Sequence, residues 1–158
     1  MDNISLSAYL DADHISLLPN ISSKKRVFDV LGELLAKNVH GLQATQVSEN
    51  LMARERLGTT ALGEGVAIPH CRIDGITKIH SAVIKLDKPV DFDSPDNIDV
   101  SIIVALLVPT EATDAHLKLL GHLAELLSKP KNREELRNCE SAQELYDFFA
   151  STSDKHAA

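Results

Sequence analysis

The sequence lacks the features of several specialised protein classes. Its 158 residues include only two cysteines, and Cys71 and Cys139 form neither a CxxC pair nor a metal-finger spacing, so we expect a reduced, cytoplasmic protein. A net charge of −7 leaves no broad basic face for a phosphate backbone, which argues against nucleic-acid binding. The longest apolar run, residues 100–108, is about half of the ~20 residues that a membrane-spanning helix needs. The first residues also lack the basic and apolar regions of a secretory signal, so no membrane insertion is expected.

The composition is that of a globular protein. Hydrophobic residues make up 44% of the chain and charged residues 25%, which is the balance of an ordinary folded domain. No internal repeat, low-complexity tract or long linker divides the chain. The sequence therefore predicts one domain over residues 1–150, followed by a flexible polar tail at 151–158.

Helical periodicity marks four segments. Apolar residues recur at helical spacing in each of them, and each start carries a Ser, Thr or Asp that can cap a helix. The predicted starts follow Ser22 or Ser23, follow Thr45, fall at Thr113 or Asp114, and fall at the Ser141–Glu144 capping box. Pro130 is expected to end the third helix.

Three segments between the helices have the character of strands. Residues 66–69 form a short apolar run, and residues 81–86 and 97–108 are rich in β-branched side chains. The hairpin-like gap at 88–96 indicates that at least one strand pair is antiparallel. With helices toward both ends of the chain, this order predicts an α/β fold, a single-domain sandwich whose mixed β-sheet is flanked by helices on both faces.

Several motifs are incomplete. The spacing of Gly58 and Gly63 resembles half of a P-loop, but the lysine that binds phosphates is missing. His116 and His122 are six residues apart and lie on different helix faces, so they do not form a helical zinc pair. The sequence therefore predicts neither a metal site nor a cofactor.

His70 is the strongest candidate for a reactive group. It follows Pro69, which stiffens the backbone, and a glycine-containing loop whose amides could approach a ligand. A histidine at the end of a strand is nevertheless more often a packed or surface residue than a functional one. Arg54, taken alone, is more often a partly buried structural residue, and His116 alone would simply begin an apolar stripe, so spacing leaves the function open.

A longer pattern around His70 resembles a known family. Glu55, then six residues, Leu62 and Gly63, then two residues and Val66 to Cys71 (VAIPHC) match the signature of mannitol/fructose-type IIA domains. These EIIA type-2 domains belong to the bacterial phosphoenolpyruvate-dependent phosphotransferase system. The resemblance extends over nearly the whole chain, and residues 96–97, 105–109 and 144–146 favour its nitrogen-regulatory branch. Cys71 stands where glycine is usual in the family.

The resemblance implies a site. His70 would accept a phosphoryl group at Nε2, and Arg54 and His116 would stabilise that group. Backbone amides at Gly63 and Gly65 would complete the phosphoryl-binding loop. The apolar side chains expected to dock a partner protein are Leu57, Leu62 and Ile73.

The resemblance also implies partners and a function. The donor would be a phosphocarrier protein of the HPr or NPr type, and no cofactor would be required. The protein would be a phosphotransferase component whose phosphorylation state regulates nitrogen and potassium metabolism, through targets such as potassium-transport proteins and a sensor kinase. Two alternatives stay open: a sugar-specific IIA component that passes the phosphoryl group to a IIB domain, and a regulatory module that acts by docking alone.

Overall fold

The chain alternates between helices and strands, with the central strands packed between two layers of helices. The computed structural model describes residues 5–18, 21–112 and 114–157, without the side chains of residue 115 and of residues 152–157. A short 3-10 helix at Leu6–Tyr9 leads into the first strand. The strands are β1 (Leu10–Leu18), β2 (Ala61–Gly63), β3 (Val66–Ala67), β4 (His70–Ile73), β5 (His80–Val90) and β6 (Val100–Pro109). The helices are α1 (Lys24–Ala36), α2 (Ala44–Glu55), α3 (Asp114–Leu127), α4 (Pro130–Asn138) and α5 (Ala142–Ala157).

The six strands form one mixed sheet with β6 at its centre. Their order is β1-β5-β6-β3-β2, and β4 also pairs with β6, next to the end of β3. Strands β5 and β6 are antiparallel, which confirms the pair predicted from the gap at 88–96. The pairs β1–β5, β3–β6 and β4–β6 are parallel. The predicted mixed sheet is therefore correct.

Each face of the sheet carries its own hydrophobic core. Along β6, Ile103, Ala105 and Leu107 face one core, which is covered by α1 and α2. The intervening side chains, Ile102 and Val104 among them, face the other core, which is covered by α3, α4 and α5. Because both faces of β6 are buried, its sequence is apolar nearly throughout, as expected for a strand inside a two-sided sandwich.

Side-chain caps set two of the predicted helix starts. The Ser23 hydroxyl accepts a hydrogen bond from the Arg26 amide at 3.1 Å, directly before α1. The Ser141 hydroxyl accepts one from the Glu144 amide at 3.1 Å, and α5 begins at Ala142. Thr113, one of the two predicted starts of α3, lies outside the described residues. No helix within the described ranges is long and apolar enough to cross a membrane.

Three strands and one α-helix, β1, β2, β4 and α4, are absent from the prediction. Strand β1 lies at the sheet edge and carries exposed Asp11 and Asp13, so its apolar pattern is too weak to be read from sequence. Pro130 does not simply end α3 but is the first residue of α4, a position where its missing amide hydrogen costs nothing. Helix α5 also runs into the segment assigned to a flexible tail, whose backbone is helical to residue 157. The flexibility of that tail stays a prediction.

We expect the central strand to dominate stability. Ile103 is fully buried in β6, so Ile103→Ala should lower the free energy of unfolding by about 2–5 kcal/mol through lost transfer energy and a cavity. Ile98, which is 44% exposed, provides the matched control, and Ile98→Ala should change the free energy of unfolding by no more than about 0.5 kcal/mol. Urea denaturation followed by circular dichroism measures both. Equal losses in the two variants would contradict this account of the core.

Candidate active site

A backbone carbonyl holds the imidazole of His70. His70 is the first residue of β4, and its Nδ1 lies 2.8 Å from the Ile68 carbonyl oxygen. A carbonyl oxygen can only accept a hydrogen bond, so Nδ1 carries the hydrogen. In the neutral ring, Nε2 then keeps its lone pair and is the nucleophilic nitrogen.

The surroundings of His70 favour its neutral form. Burial lowers the pKa of His70 below 6.5, opposed by the hydrogen bond to Ile68, which raises it. The positive charge of Arg54 lowers the pKa further, and the carboxylate of Glu55 raises it by a smaller amount. The net pKa lies below the ordinary value, so the nucleophilic form is the main one at neutral pH.

His116 lies next to His70. It is the third residue of α3, and its ring centroid is 5.5 Å from that of His70, with the two rings edge to face at 65°. The side chain is buried, and neither ring nitrogen has a hydrogen-bond partner among the described residues. Burial, His70 and Arg72 all lower the pKa of His116. The structure therefore brings a second neutral imidazole, with a donor to offer, against the first.

Arg54 places a positive charge near His70. It lies in the last turn of α2, it is half-buried, and its Nη1 donates to the Gly58 carbonyl at 3.0 Å. A guanidinium has five N–H donors, so this one bond leaves capacity for an anion. The structure thus places His116 against His70, and the charge of Arg54 acts on His70.

Glu55 is a structural centre that the sequence analysis treated only as a motif position. Its carboxylate is buried and accepts hydrogen bonds from the Thr60 hydroxyl at 2.6 Å and the Thr60 amide at 3.1 Å. It also pairs with Lys24 Nζ at 2.8 Å. These contacts tie the segment after α2 to the start of α1. A glutamate in the stripe of Val47 and Leu51, at i, i+4 and i+8, is the sequence signal that would have revealed it.

Arg72 is a second residue that the sequence analysis missed. His70 and Arg72 alternate along β4 with Cys71 and Ile73, which point into the core beneath α1 and α2. Arg72 therefore shares the face of His70, and its charge acts on His116. The period-two spacing from His70 is the signal that could have identified it.

The glycines of the predicted phosphoryl-binding loop lie elsewhere. Gly63 and Gly65 flank the turn between β2 and β3, where both have positive φ, 93° and 83°. Along β6, Val66 pairs with Ile102 whereas His70 pairs with Leu106, a separation of about 13 Å at ~3.3 Å per residue. The amide of Glu64, between the two glycines, donates to the Asp96 carboxylate at 2.7 Å. The prediction is therefore wrong, because this turn is distant from His70 and already holds an anionic side chain.

The three predicted docking residues differ in exposure. Leu57 is 84% exposed at the end of α2, close to Arg54, as a docking residue should be. Ile73 is only 2% exposed and belongs to the core, so its assignment is wrong. Leu62 is 46% exposed, but it lines a cavity together with Ala124 and Leu127, in the half of α3 remote from His116.

Cys71, the neighbour of His70 in the chain, has a thiol of low reactivity. Its thiol is buried among apolar side chains, and burial raises its pKa to about 12. Oxidation and alkylation proceed through the thiolate, which is negligible at neutral pH under these conditions. Cysteine at this position therefore acts as a small apolar residue.

The pKa of His70 is directly testable. Titration by NMR of the imidazole resonances should give a value below 6.5, because burial and Arg54 both disfavour the imidazolium. Arg54→Gln should raise that pKa, since a positive neighbour has been removed. Arg56→Gln, which removes an exposed charge two residues along, is the control and should leave the titration of His70 unchanged. A wild-type pKa at or above 6.5 would refute this electrostatic description.

Comparison with known proteins identifies the family of the chain. The family described as "Phosphoenolpyruvate-dependent sugar phosphotransferase system, EIIA 2" matches residues 8–152. A nitrogen regulatory protein of Pseudomonas aeruginosa is 45% identical over 126 residues, 80% of this chain and 82% of the relative.

Solved structures give the same result. The crystal structure of the nitrogen regulatory protein IIA-Ntr from Neisseria meningitidis has a TM-score of 0.86 at 42% identity, covering 91% of this chain and 98% of that one. The mannitol IIA of Escherichia coli shares the fold, with a TM-score of 0.73 at 21% identity over 88% of this chain and 97% of that one. The chain therefore belongs to the EIIA 2 family of the phosphoenolpyruvate-dependent sugar phosphotransferase system.

Proposed function

We propose that the protein is a phosphohistidine carrier that accepts a phosphoryl group on Nε2 of His70. The observation that carries this proposal is the hydrogen bond from His70 Nδ1 to the Ile68 carbonyl, which leaves Nε2 as the nucleophile. Membership of the EIIA 2 family supplies the reaction class. The donor is a carrier protein of the HPr or NPr type, itself phosphorylated on a histidine.

The proposed step is a single in-line displacement. The N–P bond of the donor histidine breaks as the bond from Nε2 of His70 to phosphorus forms, and the bonding electron pair returns to the donor nitrogen. Such reactions depend mainly on alignment and on stabilising the charge of the phosphoryl oxygens. Arg54 offers guanidinium N–H groups for that charge, and His116 offers a ring N–H. The centroid of the His116 ring lies 5.5 Å from that of His70.

The low pKa of His70 serves this step. Protonation would place a hydrogen on Nε2 and remove the lone pair, so acceptance should fail as pH drops below that pKa. Because burial lowers the pKa of His70, acceptance persists to lower pH than an ordinary histidine would allow. Burial also lowers the pKa of His116 and keeps that ring neutral, so His116 assists as a hydrogen-bond donor rather than as a cation.

We infer a regulatory role rather than a place in sugar uptake. Two of the similar proteins, from Pseudomonas aeruginosa and Neisseria meningitidis, are named nitrogen regulatory proteins. A phosphoryl group adds about −1.5 to −2 charges at pH 7, close to the exposed apolar side chain of Leu57. Partner proteins that bind the surface around Leu57 through apolar contacts would therefore prefer the unphosphorylated form. The proposed targets are potassium-transport and sensor-kinase proteins.

A sugar-specific IIA component is the second candidate, since the family description names a sugar phosphotransferase system. The two candidates differ in their acceptor. A sugar-specific component transfers its phosphoryl group rapidly to a IIB domain, whereas a regulatory protein does not. Incubation of the phosphorylated protein with purified mannitol- and fructose-type IIB domains separates them.

Phosphoryl transfer tests the proposal itself. The purified protein, incubated with phosphoenolpyruvate, enzyme I and an HPr-type carrier, should gain one acid-labile phosphoryl group by intact mass. His70→Ala should gain none, and His116→Ala should slow the transfer by about 10²- to 10³-fold, as for loss of one charge-stabilising donor. His122→Ala, a histidine further along α3, is the matched control and should react at the wild-type rate.

The carrier chain must be shown to be active on another IIA protein in the same experiment. If the wild type gains no phosphoryl group under those conditions, the proposal is wrong and a docking-only module becomes the better explanation. Phosphorylation of His70→Ala at the wild-type rate would instead move the acceptor to another residue.

Docking has its own prediction. Leu57 is 84% exposed beside Arg54, and Leu117 is 67% exposed directly after His116, so both apolar side chains border the site. Leu57→Asp and Leu117→Asp should each raise KM for the carrier at least about tenfold, without changing the melting temperature. Ile98→Asp places the same charge on an exposed apolar residue outside the site and should leave KM unchanged. A wild-type KM in both Leu57→Asp and Leu117→Asp would exclude this docking surface.

A further inference from the structure

We propose that Arg72 is a positioning residue, whose guanidinium fastens the segment between β6 and α3 to strand β4 and so sets His116 against His70. This inference rests on the proposed phosphoryl transfer to His70. It adds to that proposal a residue two positions beyond the acceptor, outside the family signature that ends at Cys71.

The contacts of Arg72 lie on the segment that leads to His116. Its Nη1 donates to the Thr110 carbonyl at 2.9 Å and to the Ala112 carbonyl at 2.5 Å. Residues 110–112 follow the end of β6 at Pro109, and α3 begins at Asp114. The side chain therefore holds the stretch of chain that connects the central strand to the helix carrying His116.

A second contact from the same strand end reinforces the first. The Thr110 hydroxyl donates to the Asp74 carboxylate at 2.5 Å, while the Ala112 amide donates to the Pro109 carbonyl at 3.0 Å and closes a turn. Arg72 in β4 and Asp74, the residue directly after β4, thus both bind the segment that leads to α3. Because β4 pairs in register with β6, Arg72 opposite Val108, both strands share one rigid frame.

This frame fixes the distance between two imidazoles that have no direct hydrogen bond. His70 is held to β4 by its position in the strand and by Ile68, but His116 has no hydrogen-bond partner for its ring within the described part of the chain. Its placement therefore depends on packing and on where α3 begins. Arg72 sets that start, because it is bonded to the carbonyls two and four residues before Asp114.

Arg72 also keeps a charge for the site. None of the ion pairs formed by the described residues includes Arg72, and its bonds to carbonyls leave the guanidinium positive. That charge lowers the pKa of His116, so the two residues communicate electrostatically as well as through the backbone. A lysine at this position would keep the charge, but it would lose the planar geometry that spans two carbonyls.

The test compares Arg72→Gln and Arg72→Lys with the wild type and with Arg56→Gln, an exposed arginine at the end of α2. Phosphorylation by the HPr-type carrier is measured at several carrier concentrations, and His116 is titrated by NMR. Arg72→Gln should lower the rate at saturating carrier by about 10- to 100-fold, as expected for a misplaced group, with little change in KM. It should also raise the pKa of His116, since a positive neighbour is lost.

Arg72→Lys should keep the low pKa of His116 and recover only part of the rate. Arg56→Gln should match the wild type in both measurements. A purely stabilising role for Arg72 would lower the melting temperature and leave the saturating rate unchanged. That pattern, or wild-type rates in Arg72→Gln, would overturn the inference.

The two proposals fail in different ways. If the wild type and Arg56→Gln accept no phosphoryl group, the proposed function is wrong, whatever Arg72 does. If both accept it and Arg72→Gln accepts it equally fast, only the positioning role is wrong.

Discussion

The hydrogen bond from His70 Nδ1 to the Ile68 carbonyl is the constraint on which the site depends. Ile68 lies between β3, which ends at Ala67, and β4, which begins at His70. Between these strands, the Ile68 amide bonds to the Thr60 carbonyl and the Pro69 carbonyl bonds to the Leu106 amide. The Ile68 carbonyl is then available to the imidazole two residues on. The Thr60 amide donates to the Glu55 carboxylate and not to the Ile68 carbonyl, so the buried Glu55 helps to leave that carbonyl free for the imidazole.

The electrostatics of the site follow from an unequal division of charge. The protein as a whole carries −7, yet the positive charge of Arg54 acts on His70 and that of Arg72 acts on His116. The carboxylate that acts on the pKa of His70, that of Glu55, is buried with Lys24 and Thr60 as partners, and its lone pairs are directed to them. It raises the pKa of His70 only as the smallest of four influences. The site therefore keeps a neutral nucleophile and a positive surrounding at once, a combination that exposed, unpaired carboxylates would remove.

The sequence was sufficient for the elements whose signals are local. Ser23 and Ser141 mark helix starts, the apolar run of β6 marks a strand buried on both faces, and the pattern that ends in His70 and Cys71 identifies the family. Elements with conflicting signals were missed. Pro130 is both a plausible helix end and a good first residue of the next helix, and only the tertiary structure decides between them. Strand β1 depends on pairing with β5, distant in sequence, rather than on its own pattern.

The errors at the site have one physical origin, which is that a motif gives order along the chain but not direction in space. Gly63 and Gly65 are near His70 in sequence, yet Val66, directly after Gly65, and His70 pair with positions of β6 that are about 13 Å apart. Ile73 is even nearer, but the alternation of β4 turns it into the core, and the same alternation turns Arg72 toward His116. Glu55 and Arg72 act through contacts with segments far along the chain, Lys24 for one and Thr110 for the other. Such residues are found only when the sheet register is known. For this reason the proposed acceptor histidine is predictable from sequence, whereas the groups proposed to position its neighbours are not.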